Sequence, residues 1–261
     1  MLTIMCTTVA KHASNTWYLM KTRDPVSWMR YEDEIALFDK PQDKFRKLII
    51  QNPISYEDGY YGGINEVGVA FISTFVRTSE DQVSYIRKPY IRLILDAGTA
   101  KEAVEIIKSF NPKIGGNMFV ADPMECYGIE GTASECLVEQ VKESAVKANH
   151  FCNLPARNIN FDNNPSFEPW SKTHEERASE LVAGIKSMED CEALLSDRKN
   201  SENGQAICTT PEEAKVYTYS AFVFDTSNKV VRYAQGCPSV VGFNEYSFNE
   251  LPQKENNEQV D

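Results

Sequence analysis

Residues 5–24 of the chain read MCTTVAKHASNTWYLMKTRD. Residues 2–10, which overlap the start of this stretch, are rich in Thr, Val and Ile, which favour β-strands. Residues 17–20 form a second strand candidate, and the chain between the two candidates is polar, as turns are. The sequence therefore predicts a β-hairpin that starts beside Cys6 and ends beside Asp24.

Strand and helix signals occupy separate parts of the remaining chain. We expect strands at 67–76, 118–121, 126–130 and 139–148, helices at 99–110, 173–185 and 187–195, a closing hairpin at 216–225 and 229–234, and irregular chain at 24–46. Strands therefore dominate both ends, and helices lie between them. This segregation predicts a layered α+β fold and argues against a βαβ repeat.

The composition is that of an ordinary globular protein and excludes several classes of partner. Its 261 residues are 42% hydrophobic and 25% charged, which suits a single domain over residues 1–261. The formal net charge is -11, and an acidic surface repels nucleic acid and anionic membranes, so we expect neither as a partner. No run of about 18 apolar residues is present that could span a membrane. The polar residues 252–261 are expected to be disordered.

The cysteine pattern indicates free thiols in a reducing compartment. Seven cysteines lie at positions 6, 126, 136, 152, 191, 208 and 237, and no two have the C-x-x-C spacing of zinc ribbons or thioredoxin-like motifs. Phosphate-binding, dinucleotide-binding, zinc-protease and G-x-S-x-G motifs are absent as well. We therefore expect a cytoplasmic protein with reduced cysteines.

Cys6 could act as a nucleophile with its own amine as the base. A catalytic thiol needs a base, and the chain has only three histidines. If Cys6 becomes the first residue, its amine has an unperturbed pKa of about 7.7 to 8.0, close to a working pH. Either an aminopeptidase removes Met5 after initiation there, or Cys6 attacks the preceding peptide and releases residues 1–5 as a leader. We expect the unprocessed chain to be inactive; the alternative is a buried structural cysteine.

Four motifs in a fixed order resemble those of the cysteine N-terminal-nucleophile (Ntn) hydrolases. They are MCTT at 5–8 with KTRD at 21–24, GGINEVGVA at 62–70, ANHF at 148–151 with Ala in place of Thr, and the closing strands at 220–234 followed by GCP at 236–238. The chain is most similar to the acyl-coenzyme A:6-aminopenicillanic acid acyltransferase family, and it also resembles the choloylglycine hydrolase and penicillin V acylase group. The resemblance implies a four-layer αββα sandwich with the nucleophile at the end of a central strand.

The resemblance also implies three catalytic residues. Cys6 would be the nucleophile, and Asp24 would accept a hydrogen bond from the Cys6 amine and orient it. Asn149 would supply the side-chain amide donor of the oxyanion hole, where such donors stabilise the transition state by about 2.7 to 4 kcal/mol. Without the resemblance, Asp24 could equally be a turn residue before Pro25, and Asn149 could be a loop residue at a strand end.

Further contacts to the oxyanion or the substrate are implied more loosely. The second oxyanion donor would be a backbone N–H near Thr74 or Phe75. Relatives in the choloylglycine group place an arginine where this chain has Lys21, so Lys21 or the nearby Arg23 would contact the thiolate or the substrate. A later catalytic-site arginine of the family would match Arg177, which could instead belong to a solvated helix face.

The activity implied by the resemblance is acyl transfer through a Cys6 thioester. The expected substrate is a small molecule with a linear C–N amide bond, such as an N-acyl amine, an N-acyl amino acid, or a penicillin-like or bile-salt-like conjugate. Neither a metal nor a cofactor is expected, and a homo-oligomer is compatible with the sequence. Two alternatives stay open: a dipeptidase of the same superfamily, and a non-catalytic scaffold in which Cys6 is structural.

Overall fold

The computed structural model describes residues 6–25, 33–52, 60–76, 88–110, 115–154 and 167–249. The predicted leader at 1–5 and the predicted tail at 252–261 lie outside these ranges. Within the described ranges, none of the helices is both long and apolar enough to cross a membrane.

The described strands form two antiparallel sheets. The first sheet has six strands in the spatial order β10 (Ser144–Lys147), β1 (Thr8–Ala13), β2 (Thr16–Arg23), β11 (Ser220–Asp225), β12 (Val230–Ala234) and β13 (Asn244–Tyr246). The second has seven strands in the order β3 (Glu34–Phe38), β4 (Lys47–Gln51), β5 (Tyr60–Asn65), β6 (Ala70–Thr74), β7 (Gly116–Ala121), β8 (Cys126–Gly131) and β9 (Cys136–Val141).

Helices cover the outer face of each sheet. Helices α1 (Lys88–Ile94) and α2 (Ala100–Ser109) pack on the second sheet, and α3 (Phe167–Val182) and α4 (Met188–Leu195) pack on the first, while the short α5 (Pro238–Val241) follows β12. Three apolar cores separate these layers, with Ile72 and Phe222 between the sheets, Ile94 and Val120 beneath α1 and α2, and Leu195 and Val223 beneath α3 and α4. The predicted α+β fold is therefore confirmed as a four-layer αββα sandwich.

The predicted opening hairpin is present, but its turn is tighter than the sequence suggested. Only Ser14 and Asn15 form the turn, with φ of 50° and 63°, so residues 11–13 continue β1 instead of belonging to the loop. Two successive residues with positive φ match the twist of the flanking strands, which is why such two-residue loops close hairpins. The tight turn fixes the register that pairs Thr8 with Lys21.

Two other parts of the fold differ from the prediction. The region 24–46, predicted to be irregular, contains the edge strand β3, which pairs with β4. The stretch 139–148, predicted as one strand, is broken at 142–143, because the chain leaves the second sheet after β9 and enters the first sheet as β10. This crossing brings the loop that follows β10 beside the start of β1.

The predicted helices at 99–110 and 187–195 begin with side-chain caps. Thr99 Oγ1 accepts from the Glu102 nitrogen, although the Glu102 carboxylate accepts from Gly98 and not from Thr99. Ser187 and Asp190 complete a reciprocal capping box at the start of α4. These helices lie on opposite faces of the sandwich, away from the sheet ends that carry Cys6.

Candidate active site

Cys6 lies immediately before β1 and is buried. Its backbone nitrogen donates a 2.8 Å hydrogen bond to Asn149 Oδ1. The predicted role of Asp24 concerns the free amine of a processed chain and stays a prediction, because the Cys6 nitrogen in this structure is an amide. A peptide nitrogen has a single proton to donate, and Asn149 accepts it here.

Asn149 joins Cys6 to the end of β6. Its Nδ2 donates to Thr74 Oγ1 at 3.0 Å and to the Phe75 carbonyl at 2.7 Å. Asn117 Nδ2 donates at 2.8 Å to each of the two carbonyls that flank Asn149. The structure thus brings together Cys6, Asn149, Thr74 and Phe75, and Asn117 holds the backbone on both sides of Asn149. The contacts at Thr74 and Phe75 are made by a hydroxyl and a carbonyl, so the predicted backbone N–H donor stays a prediction.

Lys21 is buried beside the Cys6 thiol. Its ammonium donates a hydrogen bond to the carbonyl of Ser73. Burial lowers the pKa of Lys21, and the charge of the nearby Cys6 thiolate and a hydrogen bond to it act in the opposite direction. Lys21 follows Leu19 by two residues on β2, and Leu19 belongs to the core between the sheets, so the Lys21 side chain lies on the same inner face.

Arg23 also lies on the inner face of β2, and it is held in place by Asp33 and Tyr61. The guanidinium donates to Asp33 Oδ2 and to the Tyr61 hydroxyl, each at 2.9 Å, and lies 4.1 Å from the centre of the Tyr61 ring. Ser220 donates a further hydrogen bond of 2.8 Å to the Asp33 carboxylate. Sequence reasoning missed Asp33, because it falls in the region predicted to be irregular.

Asp24 is buried at the end of β2 with one carboxylate oxygen unused. Thr22 Oγ1 donates to its Oδ2 at 3.3 Å, whereas its Oδ1 has no hydrogen-bond partner among the described residues. Burial raises the pKa of Asp24 to about 7, against the opposing effect of the Thr218 and Thr22 hydroxyls and of Lys21. Because an unpaired buried carboxylate is costly, this oxygen is a ready acceptor for a new donor.

We expect the Asp24→Asn variant to lose a pH dependence of stability that the parent protein shows. Because the folded-state pKa of about 7 is higher than the unfolded value, the folded chain binds more protons between about pH 4 and pH 7. The free energy of unfolding of the parent should therefore fall by about 1.4 kcal/mol per pH unit as the pH rises through this window. Urea unfolding of both proteins in a Cys6→Ala background, in which residue 6 has no thiol to cleave the preceding peptide bond, measures the two free energies of unfolding.

The comparison with Asp24→Asn isolates this carboxyl, since other titrating groups are common to both proteins. Burial also raises the pKa of Asp33 to about 6, but Asp33 contributes equally to the two curves. Parallel curves for the parent and the variant between pH 4 and pH 7 would contradict the assignment of the raised pKa to Asp24.

Arg177 does not take the position expected of a catalytic arginine. Its guanidinium donates to both carboxylate oxygens of Asp197, at 2.9 Å and 2.6 Å, and to Glu180 at 2.8 Å. These two carboxylates lie on the outer helical side of the first sheet, and together they satisfy the guanidinium. The prediction that Arg177 contacts the thiolate or the substrate is therefore not supported by its position, and the alternative of a salt-bridged helix face is.

His174 on α3 contacts the residue next to Cys6 and was not singled out from the sequence. Its Nδ1 lies 3.0 Å from Thr7 Oγ1, and its ring lies 3.6 Å from the centre of the Trp170 ring system. Burial lowers the pKa of His174 to about 3, so the imidazole is neutral at physiological pH. This contact packs α3 against the start of β1, and a histidine in a helix offers no sequence signal for it.

The fold and the arrangement around Cys6 define the class of protein. Two antiparallel sheets between layers of helices, with a cysteine at the start of a central strand, are the architecture of the Ntn hydrolases. The sequence model described as "Acyl-coenzyme A:6-aminopenicillanic acid acyl-transferase" matches residues 11–239, and the chain belongs to this family. The match begins after Cys6, so the role of Cys6 has to be argued from geometry.

Solved structures of similar fold include a penicillin V acylase and a conjugated bile acid hydrolase. The penicillin V acylase from Agrobacterium tumefaciens is 15% identical with a TM-score of 0.57, over 94% of this chain and 87% of that one. Two variants of the conjugated bile acid hydrolase from Clostridium perfringens are 12% and 11% identical with TM-scores of 0.59 and 0.58, each over 95% of this chain and 94% of the other. No curated protein matches the chain significantly. At these identities the similarity establishes the fold.

Proposed function

We propose that this protein is an amidohydrolase or acyltransferase in which Cys6 forms a thioester with the acyl group of the substrate. The observation that carries the proposal is the hydrogen bond from the Cys6 nitrogen to Asn149, whose Nδ2 reaches the end of β6 at Thr74 and Phe75. A buried thiol, a buried lysine and a side-chain amide donor meet there, and these are the groups that acyl transfer requires.

Release of the residues before Cys6 would turn its amide nitrogen into an amine. A peptide nitrogen donates one hydrogen bond, whereas an ammonium donates three. One of these protons can keep the hydrogen bond to Asn149 Oδ1. The acceptor that we propose for another is the unused Oδ1 of Asp24, whose carboxylate is linked through Thr22 Oγ1 to the backbone nitrogen of Thr7. The orphaned Asp24 oxygen thus supports the role in which Asp24 orients the amine after processing.

The proposed reaction then runs through two acyl transfers. The free amine takes the proton of the Cys6 thiol, and the thiolate attacks the carbonyl carbon of the amide substrate. Asn149 Nδ2, by exchanging its hydrogen bond to Thr74 Oγ1, and a backbone N–H near Thr74 or Phe75 would donate to the oxyanion. The C–N bond breaks as the leaving amine takes a proton from the Cys6 ammonium, and water or another amine then cleaves the thioester.

The substrate class follows from the family and the site together. The similar solved structures are named for penicillin V and for conjugated bile acids, both of which contain linear amides of hydrophobic acids. We propose a linear C–N amide of this kind as the substrate. Lys21 is buried beside Cys6 and would contact the thiolate. Arg23, which Asp33 and Tyr61 hold, would contact the substrate.

Intact-mass spectrometry and amino-terminal sequencing test the proposal first. We expect the active protein to lack residues 1–5 and to begin with Cys6, and the Cys6→Ala variant to retain the leader if the cleavage is self-catalysed. A brief incubation with an amide substrate should add the mass of its acyl group to the processed chain only. Full activity in protein that still carries Met1 would overturn the assignment of Cys6 as an amino-terminal nucleophile.

Any adduct has to be assigned to Cys6 by peptide mapping, because Cys237 is a further thiol whose pKa its neighbours lower. Cys208 Sγ lies 2.9 Å from Cys237 Sγ, and Ser239 Oγ lies 3.3 Å from each sulfur. Hydrogen bonds from Cys208 and Ser239 lower the pKa of Cys237 to about 6. Rapid alkylation alone would therefore not distinguish Cys6 from Cys237, whereas an acyl adduct on the Cys6 peptide would.

A further inference from the structure

Three side chains of different chemistry converge beside the loop that carries Asn149. His150 and Cys152 follow β10, and Glu175 projects from α3. His150 Nε2 lies 2.8 Å from Glu175 Oε2, and Cys152 Sγ lies 3.1 Å from Glu175 Oε1. One donor atom from each of the three residues lies within 4.8 Å of the others. The loop and the helix therefore present nitrogen, sulfur and oxygen ligands to a single point.

The backbone of this loop is fixed independently of the three side chains. The Glu130 carboxylate accepts hydrogen bonds from the backbone nitrogens of Cys152, Asn153 and Leu154, at 3.1, 2.9 and 2.9 Å. Lys147 balances the charge of Glu130 with a contact of 2.7 Å. A preformed loop reduces the conformational entropy that ligand binding would cost.

A serine hydroxyl on α3 fixes the orientation of the His150 ring. Its Nδ1 lies 2.8 Å from Ser171 Oγ, which accepts a 2.9 Å hydrogen bond from the Asn149 nitrogen. Metal-binding histidines characteristically engage their second ring nitrogen in such an outer hydrogen bond, because it fixes the tautomer and the orientation of the ring. Without an ion, Nε2–H donates to Glu175. A bound ion would replace that proton, with the remaining ring proton on Nδ1 directed at Ser171 Oγ.

We propose that His150, Cys152 and Glu175 bind one divalent metal ion of borderline softness, with Zn²⁺ as the best match. A mixed set of imidazole, thiolate and carboxylate ligands is one that Zn²⁺ accepts. With bonds of about 2.0 Å to nitrogen and oxygen and about 2.3 Å to sulfur, tetrahedral ligands lie about 3.3 to 3.5 Å apart. The observed separations of 2.8 and 3.1 Å, which involve different oxygens of Glu175, would open by about half an ångström. The one donor atom from each residue lies within 4.8 Å of the others, so the widest of these separations would close by a side-chain adjustment.

Accessibility and charge agree with an ion at this point. The His150 and Glu175 side chains are 13% and 24% exposed and Cys152 is exposed, so an ion can enter and a water can complete the coordination. The thiolate and the carboxylate neutralise a divalent cation. Without an ion, the three groups would remain a hydrogen-bonded cluster, which is the competing explanation and the outcome that the experiment must separate.

The consequence of binding would be structural and local. An ion shared by the loop and α3 would tie the helix to the residues on either side of His150, and Asn149 is the residue directly before it. The inference concerns metal binding alone and does not depend on the proposed acyl transfer, so either can fail without the other.

Titration of the metal-free protein with Co²⁺, followed by absorption, tests the site. We expect one equivalent to bind with a sulfur-to-cobalt charge-transfer band, and Zn²⁺ to displace it. Cys152→Ser should abolish the band and weaken binding of Zn²⁺ by at least about tenfold, and Ser171→Ala should weaken it by about 10- to 100-fold. Cys136→Ser, which changes a partly exposed thiol on β9, should behave as the parent does.

Two further variants make the outcome decisive. Cys208→Ser breaks the close pair of thiols that Cys208 forms with Cys237, so a band that disappears in this variant would place the ion there and overturn the proposal. Glu175→Gln keeps the shape of the helix residue and should weaken binding while the unfolding temperature without metal stays near that of the parent. No charge-transfer band in the parent, or an unchanged band in Cys152→Ser, would show that the cluster holds no metal.

Discussion

Replacing Cys6 with alanine is expected to lower kcat by about 10⁴ to 10⁶-fold, the loss that follows removal of a catalytic nucleophile. The expectation rests on the burial of Cys6 beside Lys21 and on the hydrogen bond from its nitrogen to Asn149. Activity should be measured on a panel that contains penicillin V, an N-acyl amino acid, a bile-salt conjugate and a dipeptide. The substrate that the parent protein cleaves fastest then defines the assay for the variant.

The control for this substitution is Cys136→Ser, since Cys136 is another free thiol, on the far edge of the second sheet. It should leave kcat within a factor of about two, as surface substitutions away from a site usually have small effects. Preference for the dipeptide would favour the dipeptidase alternative while keeping Cys6 as the nucleophile. Equal activity of Cys6→Ala and the parent would favour the non-catalytic scaffold and contradict the proposed function.

The parts of the fold that sequence could predict are those with local signals. The opening hairpin has strand-forming residues on both sides of a polar turn, and the caps at Thr99 and Ser187 mark helix starts. The resemblance to the Ntn hydrolases supplied the order of the layers, and the observed sandwich confirms it. The local sequence pattern and the family resemblance predict compatible structures, because the hairpins and helices that the pattern indicates are the elements of the sheets and helical layers that the resemblance implies.

The parts that sequence could not predict depend on contacts between distant residues. Nothing near Arg23 in the sequence indicates that Asp33 and Tyr61 will hold its guanidinium, because strand β3 and the residues before it show no periodic pattern. The sequence also gives no sign of the break at 142–143. Apolar and polar residues can keep alternating along a chain that leaves one sheet and enters another.

The family motifs predicted which residues lie near Cys6 better than they predicted the hydrogen-bond and ion-pair partners of those residues. Asn149 and Lys21 both lie beside Cys6, and the Cys6 nitrogen donates to Asn149 and not to Asp24. The difference has a chemical origin, because the family pattern describes an amine and the chain described here has an amide. Arg177 shows the limit of carrying over a single residue without a flanking motif, since Asp197 and Glu180 account for its charge.

The second large effect is expected at Asn149, where the two ends of one side chain have different proposed roles. Its Oδ1 accepts from the Cys6 nitrogen, and its Nδ2 is the proposed donor to the oxyanion. Asn149→Asp keeps an acceptor for Cys6 and removes the donor, because a carboxylate has no N–H. We expect kcat to fall by about 10² to 10³-fold, as it does when one oxyanion donor is lost.

The rate at which Cys6 itself is alkylated should separate these roles of Asn149. In Asn149→Asp the nucleophile keeps its acceptor, so peptide mapping should show Cys6 alkylated at close to the parental rate while turnover is lost. Asn153→Ala is the matched control, because its side chain in the same loop contacts Glu139 and not the site, and it should leave kcat nearly unchanged. If Asn149→Asp instead slowed alkylation and turnover by the same factor, Asn149 would act by positioning Cys6. Unchanged turnover in Asn149→Asp would remove Asn149 from the proposed oxyanion hole and leave the backbone N–H near Thr74 or Phe75 as the only donor proposed.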